Sequence, residues 1–212
     1  LSGTNTYSGS TTISAGTIKL TGSVNTATDL SIASGATLDL QSTQTFATLD
    51  LNGTISNSAG SSALTITGAS NIGGSITTSG TQTYSGAVTL SADVTLTTTD
   101  SNITFAVTVD GDGTARDLTI DMDNGDGADG TVQFANTVGG LNAISITGNL
   151  NLDAAISNTA SLAVSGTSNL GASVTTTSTQ TYSGNATISN DIILTTTNSN
   201  VLFGGTTDAG TA

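Results

Sequence analysis

The sequence predicts an all-β fold, a parallel β-helix (β-solenoid) with coils of about 20 residues. Three observations carry this expectation. There is a long internal repeat, there are shorter echoes spaced near 19 to 20 residues, and apolar residues alternate with small polar ones.

The repeat is plainest in "TQTYSG", present at 81–86 and again at 179–184. Residues 63–114 align with 161–212 without a gap at an offset of 98, and about half the aligned positions are identical. Upstream, "LDLNGTISN" (49–57) matches "LNLDAAISN" (150–158) at an offset of 101, with three extra residues around 60–62. The expected organisation is one continuous solenoid over 1–212, with repeat units at approximately 49–149 and 150–212, the second incomplete.

A unit of this length fits tandem β-sandwiches, with or without stabilising Ca²⁺, or a solenoid unit of several coils. The shorter echoes favour the solenoid. "TIKL" (17–20) returns as "TLDL" (37–40), "QTF" (44–46) as "QTY" (82–84), and "NTYSG" (5–9) as "QTYSG" (82–86). Their offsets of 20, 38 and 77, with 98, lie near one, two, four and five times 19 to 20. The offset of 98 therefore reads as five coils. A second "TLDL" at 48–51, offset 11, reads as another face of a coil.

The strands follow from period two, which places alternate side chains on one face. The expected inward set is Leu64, Ile66, Ile76, Val88, Leu90, Val94 and Leu96, with Leu162, Val164, Val174, Ala186, Ile188, Ile192 and Leu194 in the second copy. Gly, Asn, Ser and Asp separate the runs and accept turn dihedrals. Proline, which would remove a ladder donor, is absent.

Composition narrows the chemistry. All fifteen acids are Asp, the bases are Lys19 and Arg116 alone, and the net charge is −13. Without His or Cys there is no Ser-His-Asp triad, thiol nucleophile or ordinary zinc site. Two cations make no basic stripe, so no nucleic-acid partner is expected. No apolar run approaches bilayer-spanning length. The chain begins at Leu1 and reads as an interior piece or mature fragment of something longer.

One segment is chemically distinct. "DGDGTARDLTIDMDNGDGADG" (110–130) holds seven of the fifteen acids. Such a density of carboxylates suits Ca²⁺, a hard cation taking six to eight oxygens. Asp123, Asp126 and Asp129 are the candidate ligands, although the spacing matches neither an EF-hand nor a stacked nonapeptide repeat. The other reading is two solvated turns flanking the strand "DLTIDM", with Arg116 offsetting neighbouring acids. Tyr84 and Tyr182, at equivalent positions, and Tyr7 in similar context read as stacking or turn-covering residues. Asn71 and Asn169 read as turn ladders. A carbohydrate-active β-helix, using paired Asp, is the enzymatic alternative, but Trp platforms are absent. A regular T-x-T array of the kind that binds ice is not maintained.

"TQTYSGAVTLSADVTLTTTDSNITF" (81–105), followed by "VDG", resembles repeats of very large secreted proteins related to filamentous haemagglutinin. "LSGTNTYSGSTTISAGTIKLTG" (1–22) resembles the autotransporter-associated β-strand repeat. The first resemblance covers roughly 63–212 and the second roughly 1–22. Together they imply a right-handed parallel β-helix, export across a Gram-negative-type outer membrane, and service as a stalk or adhesin at the cell surface. They carry no catalytic residues. The Asp-rich stretch at 110–130 departs from the family's short turn. The expectation is thus a non-enzymatic structural or adhesive segment without cofactor. Its partners are neighbouring repeats or axially stacked copies, and a receptor or glycan on a cell surface.

Overall fold

The computed structural model describes residues 1–127 and 129–210. Among these, 29 short strands and no helix are present. They form three parallel sheets of ten, ten and nine strands, in which, from Leu30–Ile32 onward, each strand pairs with the one three places along the chain. This is the expected β-solenoid, in about ten coils. The alternative of tandem β-sandwiches is overturned, because sandwiches are antiparallel and every pairing here is parallel. Ten strands at about 4.8 Å per step make a rod about 45 Å long.

One coil illustrates the path. Val88–Leu90 lies in the first sheet, Val94–Thr97 in the second and Ile103–Phe105 in the third. In this coil each strand is three or four residues, which leaves room for two inward side chains per wall. Val88 and Leu90 face in while Thr89 faces out. The corners need tight or left-handed backbone. Asp100 (φ 48°) and Asn198 (φ 55°), again 98 residues apart, both adopt it, as these two residue types tolerate best.

The core is one uninterrupted cluster from Ile13 to Tyr182. Every predicted inward residue of the first copy is buried, as are Leu162, Val164, Val174 and Ala186. Ile188, Ile192 and Leu194 differ: they are half-buried. They lie in the last coils, where fewer neighbours cover them. A buried Leu, Ile or Val contributes about 1.5–3 kcal/mol. In a solenoid that gain accrues coil by coil, since each coil touches only its neighbours.

The repeat has an unexpected phase. Leu64 pairs within the third sheet, whereas its equivalent Leu162 pairs within the second. From Leu64–Ile66 to Ser161–Val164 is fourteen strands, so the offset of 98 spans four and two-thirds coils, not five. The reason is one long coil. Val109 pairs with Val138, 29 positions on, whereas Val138 pairs with Ile156, 18 positions on. The acidic segment supplies the extra residues. The echo at offset 11 does lie on another face: Thr37–Leu40 is in the second sheet and Leu49–Leu51 in the first.

Candidate functional site

Two features stood out in the sequence, the repeated hexapeptide and the acidic segment. The hexapeptide builds an internal corner. Gln82 and Tyr84 both face inward and are fully buried. The Gln82 amide donates from Nε2 to the Thr97 carbonyl at 3.0 Å and to Thr78 Oγ1 at 3.3 Å. Its Oε1 accepts from the Tyr84 hydroxyl at 2.9 Å. The second copy repeats the arrangement. Gln180 Nε2 donates to the Thr195 and Val174 carbonyls at 2.8 and 3.1 Å, and Tyr182 donates to Gln180 Oε1 at 3.2 Å. A buried amide without partners would be costly, and here both ends are satisfied. Burial raises both phenol pKa values well above the ordinary range.

The rings stack along the axis. Tyr84 lies on Phe105 with centroids 5.1 Å apart, and Phe105 lies on Phe134 at 5.3 Å. Tyr182 lies on Phe203 at 5.2 Å. The expected stacking role of Tyr84 and Tyr182 is seen, and it is internal. Tyr7, by contrast, is exposed, its hydroxyl 3.0 Å from Thr11 Oγ1. The closing glycine of the hexapeptide has its own reason. A Cβ on Gly86 would stand 2.3 Å from the Gly68 backbone of the preceding coil, and one on Gly184 would stand 2.4 Å from the Gly166 carbonyl oxygen. Sequence reasoning missed the inward glutamine. The signal was the recurrence of Thr, Gln and Tyr at fixed spacing, Thr78-Gln82-Tyr84 and Thr176-Gln180-Tyr182.

The acidic segment forms two corners of the long coil. Residues 112–115 join the first sheet to the second, the strand Arg116–Asp121 crosses the second, and 122–130 lead to the third. Arg116 grips Asp112 through both Nη2 and Nε, at 2.8 and 3.2 Å. That contact, with the Thr114 amide, holds the Asp112 carboxyl at a pKa of about 2. At the same corner Asp93 accepts the Asp117 amide, and Asp117 accepts Asn142 Nδ2 and the Ala143 amide, which ties three coils together.

Asp123, Asp126 and Asp129 all lie on the second corner. Asp123 and Asp126 are exposed and Asp129 is half-buried. Asp123 Oδ1 accepts the Gly125 amide at 2.6 Å, the Asp126 amide donates to Asn124 Oδ1 at 2.9 Å, and the Asp129 carbonyl accepts Asn149 Nδ2 at 3.1 Å. Asn124 is itself bound to Asp100 of the preceding coil by amide and side chain. Among the described residues no group of three or more acids is gathered as a metal site.

The outer faces carry polar columns. Thr45, Thr65, Thr83 and Thr104 follow one another on the third sheet, then Gln133, Asn151 and Asn169. Asn169 donates to Asn151 at 2.7 Å, and Asn71 donates to Asp50 at 2.9 Å. These asparagines do form ladders, but on strand faces instead of turns, because Ser70–Ile72 and Ser168–Leu170 bury their flanking residues and leave the middle one outside. A cleft of about 390 Å³ at the C-terminal end is lined by Ile188, Ser189, Asn190, Asp191, Ala209 and Gly210. No family model, curated protein or solved structure matches this chain.

Proposed function

We infer that the chain is a non-enzymatic structural segment, a rod that extends or displays, within a large secreted surface protein. One observation carries this reading. Within the identically repeated hexapeptide, Gln and Tyr turn inward, where Gln bonds a carbonyl of the next coil and Tyr stacks on the next coil's Phe, and Gly packs against the preceding coil's backbone. Side chains buried between coils support the winding and are out of reach of a ligand. The resemblance to filamentous-haemagglutinin-type and autotransporter-associated repeats supports the same reading and adds an extracellular or cell-surface setting of Gram-negative type. The outward Thr, Ser and Asn columns are the surface on which a receptor or glycan would be met. Further coils of the same kind are the axial partners, from the parent protein or from stacked copies.

Small-angle scattering on the purified chain tests the rod, together with an assay for cleavage of acidic and neutral polysaccharides. A rod of constant cross-section that leaves every glycan intact is expected. Glycan cleavage that is lost on replacing an Asp pair by Asn would overturn the reading in favour of a carbohydrate-active β-helix.

A further inference from the structure

We propose that Asn124 modifies itself: the Gly125 backbone nitrogen attacks the Asn124 side-chain amide, ammonia leaves, and the carboxylate then formed with water releases the long coil from the coil before it.

Asn-Gly occurs twice in the chain, at 52–53 and at 124–125. Glycine suits such an attack, because no Cβ keeps its nitrogen from the side chain before it. The two pairs differ in freedom. The Gly53 amide donates to the Ile32 carbonyl of the preceding coil at 3.1 Å. Gly53 is also buried, and a Cβ there would stand 2.3 Å from the Ala36 carbonyl oxygen. Attack at Asn52 therefore requires the winding to open. Asn124 and Gly125 are both exposed, and a Cβ on Gly125 would meet nothing within 4 Å. The Gly125 amide donates to Asp123 of its own corner, so it can move without breaking a sheet bond.

The corner supplies the groups that the reaction uses. Asp123 Oδ1 lies 2.6 Å from the Gly125 nitrogen and accepts its hydrogen, so this carboxylate is in reach to take the proton as the nitrogen attacks. The Asp126 amide donates to Asn124 Oδ1 at 2.9 Å, where negative charge develops as Asn124 Cγ becomes tetrahedral. The bond from Gly125 nitrogen to Asn124 Cγ forms and the bond from Cγ to Nδ2 breaks. The proton passes by way of Asp123 and solvent to the departing nitrogen, which leaves as ammonia. Water opens the resulting cyclic imide at either carbonyl, giving aspartate or isoaspartate.

Asn124 ties the long coil to its neighbour. Its backbone amide donates to Asp100 Oδ1 at 3.1 Å, and its Nδ2 donates to Asp100 Oδ2. Conversion replaces that donor with a carboxylate oxygen facing the Asp100 carboxylate. Like charges at hydrogen-bond distance repel, so an attraction between coils becomes a repulsion. The second copy of the repeat shows how the tie can be rebuilt. Asn198 (φ 55°) stands where Asp100 (φ 48°) stands in the first copy, so this left-handed corner accepts asparagine. Asp100→Asn together with Asn124→Asp therefore restores an amide–carboxylate pair with its ends exchanged.

Peptide mapping by mass spectrometry tests the reaction, on the folded chain and on the chain in denaturant, both held at mildly alkaline pH. In denaturant the two Asn-Gly pairs convert at similar rates. In the folded chain Asn124 is expected to convert at least about tenfold faster than Asn52, whose attack must first break an interstrand bond. Asp123→Asn keeps an acceptor for the Gly125 amide but weakens the base, so it slows conversion at Asn124 and leaves Asn52 as it was. Hydrogen exchange tests the release. Asn124→Asp is expected to speed exchange of the backbone amides at 124 and 125, and adding Asp100→Asn to return it to that of the unaltered chain. Equal conversion of Asn52 and Asn124 in the folded chain, or a rate at Asn124 that Asp123→Asn does not change, overturns the proposed reaction. Exchange in Asn124→Asp equal to that of the unaltered chain overturns the release.

Discussion

Tyr84 and Tyr182 make the same hydrogen bond in different walls of the rod. Each phenol donates to the glutamine two residues before it, but Tyr84 stands in the third sheet and Tyr182 in the second. The corner lock is therefore a portable unit, one strand and its turn, that works on any face.

Breaking that lock is expected to be costly. Tyr84→Phe leaves Gln82 Oε1 buried without its donor and should lower stability by about 1–3 kcal/mol in denaturant titration. Gln82→Leu should cost at least as much, since the Thr97 carbonyl loses its side-chain donor and the Tyr84 hydroxyl its acceptor. The double variant should cost less than the two singles added, and strict additivity would mean the residues act separately.

Gly86→Ala should destabilise by about 1–3 kcal/mol, because the new methyl meets unyielding backbone of the neighbouring coil. Gly16→Ala, where the turn is open but φ is +71°, tests strain without a clash. Thermal melting distinguishes them, with the larger shift at Gly86.

Some substitutions should stabilise. Ser70 and Ser168, equivalent across the repeat, point buried hydroxyls at no partner. Ser70 sits between Leu49 and Val88 in an inward column. Ser70→Val removes an unsatisfied hydroxyl, so a gain of about 1 kcal/mol is expected. A lower melting temperature would show that the hydroxyl has a partner in solution.

Acid should loosen the long coil. Asp112 is held near a pKa of about 2, below its ordinary value of 3.8. A depressed carboxyl favours the folded state above the unfolded pKa, and that contribution fades as pH falls from about 4 toward 2. Asp39 acts in the same direction. Its burial alone would raise its pKa, but hydrogen bonds from Ser58 and Gln41, with Lys19 nearby, lower it. Arg116→Ala should return the Asp112 titration toward 3.8, read by carbon-13 chemical shifts of the carboxyl.

The second acidic corner is held by its own hydrogen bonds, from the Gly125 amide to Asp123 and from the Asn124 amide to Asp100. Millimolar Ca²⁺ is accordingly expected to give no heat in calorimetry and no change in melting temperature. A rise that Asp126→Asn abolishes would establish the corner as a calcium site.

The fold was legible because alternation and turn residues are local signals, and "TIKL" over "TLDL" shows the coil length directly. The phase of the repeat was not. Counting 98 as five coils assumed equal coils, and the length added at 110–130 broke that assumption. The half-burial of Ile188, Ile192 and Leu194 was also hidden, since an alternating pattern reports which way a residue faces and not what lies above it. At the candidate site, the carboxylates were easy to see. Their use as caps for Gly125, Thr114 and Ala143 depends on backbone conformation that residue types alone do not specify.

Fourteen strands do not divide evenly into a three-walled rod. Twin sequences are consequently never stacked directly above one another; the second copy is turned a third of the way round the axis. Parallel cross-β stacks of identical segments are prone to registry errors, because a segment can exchange places with its duplicate at little cost. Here a slip of one whole repeat would have to drag every later strand onto a new wall. A chain can thus reuse its own text and still have one unambiguous winding.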